Sequence, residues 1–218
     1  MRRVRVKICG ITHVSDAHDA VLAGADAIGL VFVQSSKRFV SVEQAKALCA
    51  SIPPYVSIVG LFANQSALEI ESIVKALPLD QLQFHGNESP HFCADLSERL
   101  GKRWYKAVPM NDLSTPHALQ TYLQHFHQSS AFLLDAFGQQ QQGGSGKTFT
   151  WQALPESALT RPLIIAGGLT AENVGEAIRH FRPFAVDVSS GVETAPAKKS
   201  FAKMKTFIDA VVHAYDAS

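Results

Sequence analysis

Cysteine is scarce in this chain and does not pair up: Cys9, Cys49 and Cys93 are widely spaced and outside any CxxC pattern. That argues against a disulfide framework and against a cysteine-based zinc site. Long apolar runs are missing as well, since no uncharged stretch approaches the ~20 residues that a membrane helix needs. The opening Met1-Arg2-Arg3-Val4-Arg5-Val6-Lys7 is basic like the start of a signal peptide. Behind it, however, Ile8-Cys9-Gly10-Ile11-Thr12-His13 brings no apolar segment, so the expectation is a cytoplasmic protein without a membrane partner. No charge of one sign dominates: 20 Lys and Arg stand against 19 Asp and Glu, a net charge of +1, which supplies no basic field for nucleic acid. The nine histidines show no ligand spacing, so no metal site is expected. The expected partner is a small molecule.

What is present is a chain of 218 residues with 46% hydrophobic side chains, enough for one sizeable core and near the lower end for a single barrel domain over residues 1–218. Short β-branched runs alternate with stretches of helical periodicity, the mark of repeated βα units on a parallel sheet. Eight strands are predicted, at Val4–Cys9, Ala27–Phe32, Val56–Phe62, Gln81–His85, Arg103–Val108, Ala131–Asp135, Leu163–Ala166 and Phe184–Val188. Helices are predicted near Ser15–Ala23, Val42–Ser51, Ser66–Ala76, Ser89–Leu100, Thr115–Phe126, Trp151–Ser157, Ala171–Phe181 and Ser200–Tyr215. Eight alternations close an α/β fold into a (β/α)8 TIM barrel. The competing doubly wound sheet lacks its G-x-G-x-x-G fingerprint, because Cys9-Gly10-Ile11 follows the first strand instead. The low-complexity tract Gln139–Gln142, running into Gly143-Gly144-Ser145-Gly146, reads as a mobile loop over the C-terminal face.

The stretch from Leu163 to Val192 places two glycine-serine turns just beyond two strands: Gly167-Gly168-Leu169, with Thr170 as the expected N-cap of the next helix, and Ser189-Ser190-Gly191. Glycine lets backbone amides approach an anion, serine adds a hydroxyl donor, and a helix N-terminus adds partial positive charge. Alone, Gly167-Gly168 is an ordinary strand-to-helix turn. Paired with Ser189-Ser190-Gly191 it becomes a phosphate cradle of the kind barrels build after strands seven and eight.

On strand one, Arg5, Lys7 and Cys9 share one parity and Val4, Val6 and Ile8 the other, which puts a thiol at the inner rim. Parity alone does not choose between a small buried hydrophobe and a thiolate favoured by Lys7. Asp135 ends an apolar strand, where a carboxylate is costly to desolvate unless it is hydrogen-bonded or useful; it is either a catalytic group or the start of an Asx-turn. Asp187 points into the barrel and is expected to orient substrate or neighbours, and His85 reads as a polar wall. Arg38 is either a bidentate clamp for a carboxylate or a solvated loop charge. Gly146-Lys147-Thr148 imitates the end of a Walker A loop, but the required glycine at 141 is Gln141, so nucleotide hydrolysis is not expected.

Taken together, several motifs resemble the phosphoribosylanthranilate isomerase family nearly end to end. They are Lys7-Ile8-Cys9-Gly10-Ile11-Thr12, Gly29-Leu30-Val31-Phe32 with Ser36-Lys37-Arg38, Gln83-Phe84-His85-Gly86-Asn87-Glu88, Leu134-Asp135, Gly143-Gly144-Ser145-Gly146, Ala166-Gly167-Gly168-Leu169 and Val186 to Glu193. The resemblance implies a barrel without cofactor or metal. It also implies an Amadori rearrangement of N-(5-phosphoribosyl)anthranilate to 1-(2-carboxyphenylamino)-1-deoxyribulose 5-phosphate. Cys9 falls on the family's general base and Asp135 on its general acid, Arg38 on the holder of the anthranilate carboxylate, and Gly167, Gly168, Ser189, Ser190 and Gly191 on the phosphate cradle. The chain departs from the family pattern at Ser145 and Thr150, and at Ala197 and Ser200, which vary Pro-Gly-x-Lys-Asp. Indole-glycerol-phosphate synthase is the neighbouring enzyme alternative, but no lysine and glutamate constellation stands where it needs one. A sugar-phosphate-binding module is the non-enzymatic alternative, needing the cradle but neither Cys9 nor Asp135.

Overall fold

The computed structural model describes residues 3–110, 113, 115–135 and 161–216. The helix expected near Trp151–Ser157 and the Gln139–Gly146 loop lie outside these residues. Eight parallel strands close into one barrel in chain order: β1 (Arg5–Cys9), β2 (Ala27–Val31), β3 (Ser57–Phe62), β4 (Gln81–Phe84), β5 (Arg103–Val108), β6 (Phe132–Asp135), β7 (Leu163–Ala166) and β8 (Ala185–Val188). Closure is made by β8 on β1, with Lys7 opposite Asp187. The observed strands match the sequence expectation to within a residue at each end.

Each strand alternates between two environments, as a closed sheet requires. Val6, Ile8, Ile28, Leu30, Leu82, Phe84, Phe132, Leu134, Ile165, Val186 and Val188 join the large apolar shell under the helices. The barrel interior is smaller and mixed, with Val59, Ala107, Leu133, Ile164 and Ala185 beside the buried polar groups Lys7, Gln83 and Asp187. Lys106, on the helix-facing parity of β5, is fully buried. It is held by the Gly86 carbonyl at 2.5 Å and Glu88 at 3.0 Å, with the Phe126 ring below it. Glu88 also accepts from the amides of Asn64 and Gly86, so this buried pair ties the loops after β3 and β4 together.

Among the described residues, the helices outside the barrel are α1 (Val14–Ala23), α2 (Val42–Ser51), α3 (Ala67–Ala76), α4 (Pro90–Leu100), α5 (Pro116–His125), α6 (Val174–Phe181) and α7 (Phe201–Asp216). Their starts are written locally. Ser41 with Gln44 and Ser66 with Glu69 form capping boxes, while Ser89 and Thr115 cap helices that open on proline. Such caps are worth about 1 kcal/mol each. One expectation is corrected: α6 does not start behind Thr170 but at Val174, with Asn173 as its N-cap, because the Asn173 side chain accepts from the Thr170 amide and donates to the Gly168 carbonyl. A two-stranded hairpin, β9 (Glu193–Ala195) and β10 (Lys198–Lys199), follows β8 and leads into α7. No described helix is long and apolar enough to cross a membrane.

Candidate active site

The inward positions at the C-terminal strand ends converge on one cavity of about 650 Å³, a size suited to a small ligand. Cys9, Val31, Leu61, Gln83, Asp135, Ala166 and Asp187 form its floor and walls, and residues 35–38 after β2, Gly167-Gly168-Leu169 and Ser189-Ser190 form its rim. Of the predicted site residues, Cys9, Arg38, His85, Asp135, Gly167, Gly168, Asp187, Ser189 and Ser190 line this cavity together, whereas Gly191 does not.

Beneath the floor lies a buried polar cluster. Lys7 Nζ donates to Asp187 Oδ2 at 2.8 Å and to Gln83 Oε1 at 3.1 Å, and the Tyr105 hydroxyl donates to the same Gln83 oxygen at 3.0 Å. Burial opposes the charge on Lys7, but Asp187, with the neighbouring Cys9 and Tyr105, wins and raises its pKa. The Tyr105 phenol is pushed up by burial and stays a donor. Asp187 is occupied by Lys7 through one oxygen, while Oδ1 is sealed from solvent without a hydrogen-bond partner among the described residues. Of the two roles expected for Asp187, orienting substrate or orienting neighbours, these contacts support the second.

Cys9 reaches the cavity because Gly29, its partner across β1 and β2, has no side chain: a Cβ there would stand 2.8 Å from Cys9 Sγ. Lys7 lies on the same parity and does pull the thiol pKa down, as parity suggested. Burial outweighs it, however, and the net shift is upward, so the protein without ligand holds a thiol and not a thiolate. Cys49 and Cys93 are likewise free and buried, and neither lines the cavity. Across the floor, Asp135 ends β6 with its Oδ2 3.8 Å from His85 Nε2, and His85 Nδ1 meets Gln83 Nε2 at 2.9 Å.

Arg38 is neither a solvated charge nor a free clamp. Its Nε and one terminal nitrogen form a bidentate pair with Glu193, at 2.7 and 2.8 Å, and this pair raises its pKa. That side of the guanidinium is occupied, which leaves the end-on face for a ligand carboxylate. Glu193 is anchored in turn by buried Lys199 at 2.8 Å; burial works to raise its pKa, but the bonds from Arg38 and Lys199 win and lower it. The Arg38 stem lies against the turn after β1, where Gly10 has φ +74° and a Cβ would meet Arg38 Cδ at 2.3 Å.

The two glycine-serine turns are adjacent. Gly167 and Gly168 take left-handed φ values of 83° and 58°, which glycine adopts without strain. Gly191 is where the turns touch: a Cβ there would stand 1.9 Å from the Leu169 carbonyl oxygen, so its contribution is close approach and not a cavity wall. The Ser189 hydroxyl donates to the Cys9 carbonyl at 3.0 Å, which removes it from the expected set of free hydroxyl donors. The helix-dipole contribution is smaller than expected too, since three turn residues separate Thr170 from α6 and only a single 3-10 turn, Ser190–Val192, follows β8. Ser190 is exposed at the rim.

Sequence reasoning missed the roles of Gln83, Glu193 and Lys199, although the first two sit inside quoted motifs. The register of a closed barrel pairs Lys7 with Asp187 and so finds their ion pair. Nothing local signals that the 155-residue separation between Arg38 and Glu193 collapses to a bidentate contact. Among the described residues no group of three or more His, Cys, Asp or Glu is placed to hold a metal ion.

Comparison with known proteins gives this geometry its context. The family described as N-(5'phosphoribosyl)anthranilate (PRA) isomerase matches residues 6–210. An N-(5'-phosphoribosyl)anthranilate isomerase of Stutzerimonas stutzeri is 48% identical over 208 residues, covering 94% of this chain and 95% of the relative. The crystal structure of phosphoribosyl anthranilate isomerase from Thermotoga maritima superposes with a TM-score of 0.81 at 39% identity, covering 96% of this chain and 99% of that one. A structure of the enzyme in complex with reduced 1-(o-carboxyphenylamino)-1-deoxyribulose 5-phosphate superposes with a TM-score of 0.77 at 37% identity, with 96% and 99% of the two chains covered.

Proposed function

The chain belongs to the N-(5'-phosphoribosyl)anthranilate isomerase family, and from that premise we propose how it acts. The reaction is the Amadori rearrangement of N-(5-phosphoribosyl)anthranilate to 1-(2-carboxyphenylamino)-1-deoxyribulose 5-phosphate. The observation that carries the assignment is the meeting of Cys9 from β1 and Asp135 from β6 in one cavity rimmed by the two glycine-serine turns and Arg38. Gly167, Gly168 and Ser190 receive the phosphate, with Ser189 and Gly191 shaping the cradle. Arg38 meets the anthranilate carboxylate with the guanidinium face that Glu193 leaves free.

Asp135 gives its proton to the furanose ring oxygen. The ring C–O bond breaks, and the amine nitrogen's electron pair forms a cationic Schiff base at C1′. Cys9 then removes the proton from C2′; the C–H electrons form the C1′=C2′ bond while the C1′=N π pair returns to nitrogen, giving an enolamine that tautomerises to the ketone as C1′ takes up a proton. The base is the thiolate: burial opposes it, while Lys7 and the cationic Schiff base favour it, and the thiol gives its proton to solvent before Cys9 takes the one from C2′. Asp187 contributes by holding Lys7 under Cys9.

Residues 1–218 read as one barrel domain working in the cytoplasm on a small sugar phosphate. Three free buried thiols fit a reducing compartment, and a net charge of +1 offers nucleic acid no surface. The test of the function is loss of the substrate's fluorescence when purified protein is added. Saturable loss is expected; saturable binding of substrate with no turnover would select the sugar-phosphate-binding module instead.

A further inference from the structure

Four polar side chains run in a line from the buried ammonium to the proposed acid. Gln83 is in the middle of it, fully buried, and its amide can be oriented in one way only. Its acceptor faces Lys7 Nζ at 3.1 Å and the Tyr105 hydroxyl at 3.0 Å. A lysine ammonium has no lone pair, so turning the amide over would set two donors against each other in a buried site. Nε2 therefore faces His85 Nδ1, at 2.9 Å. That nitrogen carries two hydrogens and accepts none, so His85 Nδ1 must be the acceptor and the imidazole proton must sit on Nε2. Nε2 is the atom directed at Asp135 Oδ2, 3.8 Å away.

We infer that Gln83 is a positioning residue that sets the tautomer of His85, placing its hydrogen on Nε2 and aiming it at Asp135. The inference rests on Asp135 being the general acid. A cationic imidazolium beside Asp135 would favour the carboxylate and strip the acid of its proton before substrate arrives. A neutral N–H does not impose that full charge, yet by closing from 3.8 Å it would donate to the carboxylate that forms once the proton has gone to the ring oxygen, where stabilisation of developing charge assists the step. Among the described residues, the charged and titratable groups paired with His85 are Asp135 on β6 and, through Gln83, Lys7 and Tyr105. Its Gln83 side is closed to a second proton by the amide hydrogens.

The experiment is nitrogen-15 NMR of the imidazoles in the resting protein, with His85→Asn identifying the His85 signals. At about pH 8, above the ordinary imidazole range, His85 is expected as the neutral Nε2–H tautomer. Gln83→Glu replaces the donor facing Nδ1 by an acceptor. It is expected to move the proton to Nδ1 or add a second one, and to lower kcat by about tenfold or more while KM stays within about twofold. A wild-type His85 protonated on Nδ1 overturns the inference, as does a folded Gln83→Glu with unchanged tautomer or unchanged kcat. If that variant fails to fold, the wild-type spectrum still decides. Because the tautomer is read without turnover, it stands or falls separately from Asp135, whose role is read from kcat of Asp135→Asn.

Discussion

The two ends of the barrel use the same side chain in opposite ways. At the N-terminal end, Asp26 and Asp80 each precede a strand and accept the backbone amide of its neighbour: Val6 at 2.9 Å and Ile58 at 2.7 Å. Asp26 is further gripped by Arg3 and Arg5. At the C-terminal end, Asp135 has His85 at 3.8 Å as its nearest ionic partner among the described residues, and Asp187 keeps one oxygen without a hydrogen bond. One end satisfies its carboxylates and gains stability. The other pairs Glu88 and Glu193 fully but leaves Asp135 and Asp187 under-satisfied around a cavity, and a site that must exchange protons needs such groups.

The largest effect that separates the ends is expected from Asp135→Asn, which keeps shape and removes the transferable proton. Loss of kcat by roughly 10²–10⁴ with little change in product-analogue binding is the expected result. Arg38→Ala comes next, raising KM far more than it lowers kcat, because it removes a carboxylate contact remote from the proton transfers; an unchanged KM would remove Arg38 from the site. At the other end, Asp80→Ala is expected to lower unfolding free energy by about 1–3 kcal/mol, read by denaturant melts, while kcat is unchanged. A fall in kcat there would dissolve the division between the ends. The smallest effect concerns pH. The raised Cys9 pKa means that iodoacetamide modification of Cys9 in the ligand-free protein is slow at neutral pH and climbs only above the ordinary thiol range, where the thiolate forms. A rate already level at neutral pH would show a thiolate at rest.

Much of the C-terminal end is legible in the sequence through strand parity, whereas the roles of Asp26 and Asp80 at the other end are not read from it. Alternation placed Cys9 and Asp187 inside before any coordinates, and the turn residues after β7 and β8 marked the rim. What parity does not carry is distance between remote segments. The sequence leaves Arg38 open between clamp and solvated charge because Glu193 arrives through barrel closure, and leaves Cys9 open between hydrophobe and thiolate because local pattern does not measure burial. The start of α6 differs from the sequence expectation because the Asn173 side chain bridges the Thr170 amide and the Gly168 carbonyl, a contact that helical periodicity does not signal. The departures at 197 and 200 have a plain structural reading. Ala197 occupies left-handed backbone at φ 64°, where glycine is unstrained, and Ser200 caps α7 through the Lys203 amide as an aspartate would.

The central claim is that the under-satisfied end runs proton transfers through Cys9 and Asp135, and Cys9→Ser tests it most directly. The substitution keeps size and polarity but installs a hydroxyl far too weakly acidic to serve as base near neutrality. The measurement is kcat beside the dissociation constant of a product analogue. Loss of roughly 10²–10⁴ in kcat with binding retained is expected, and turnover within about tenfold of wild type would show that the thiol is structural.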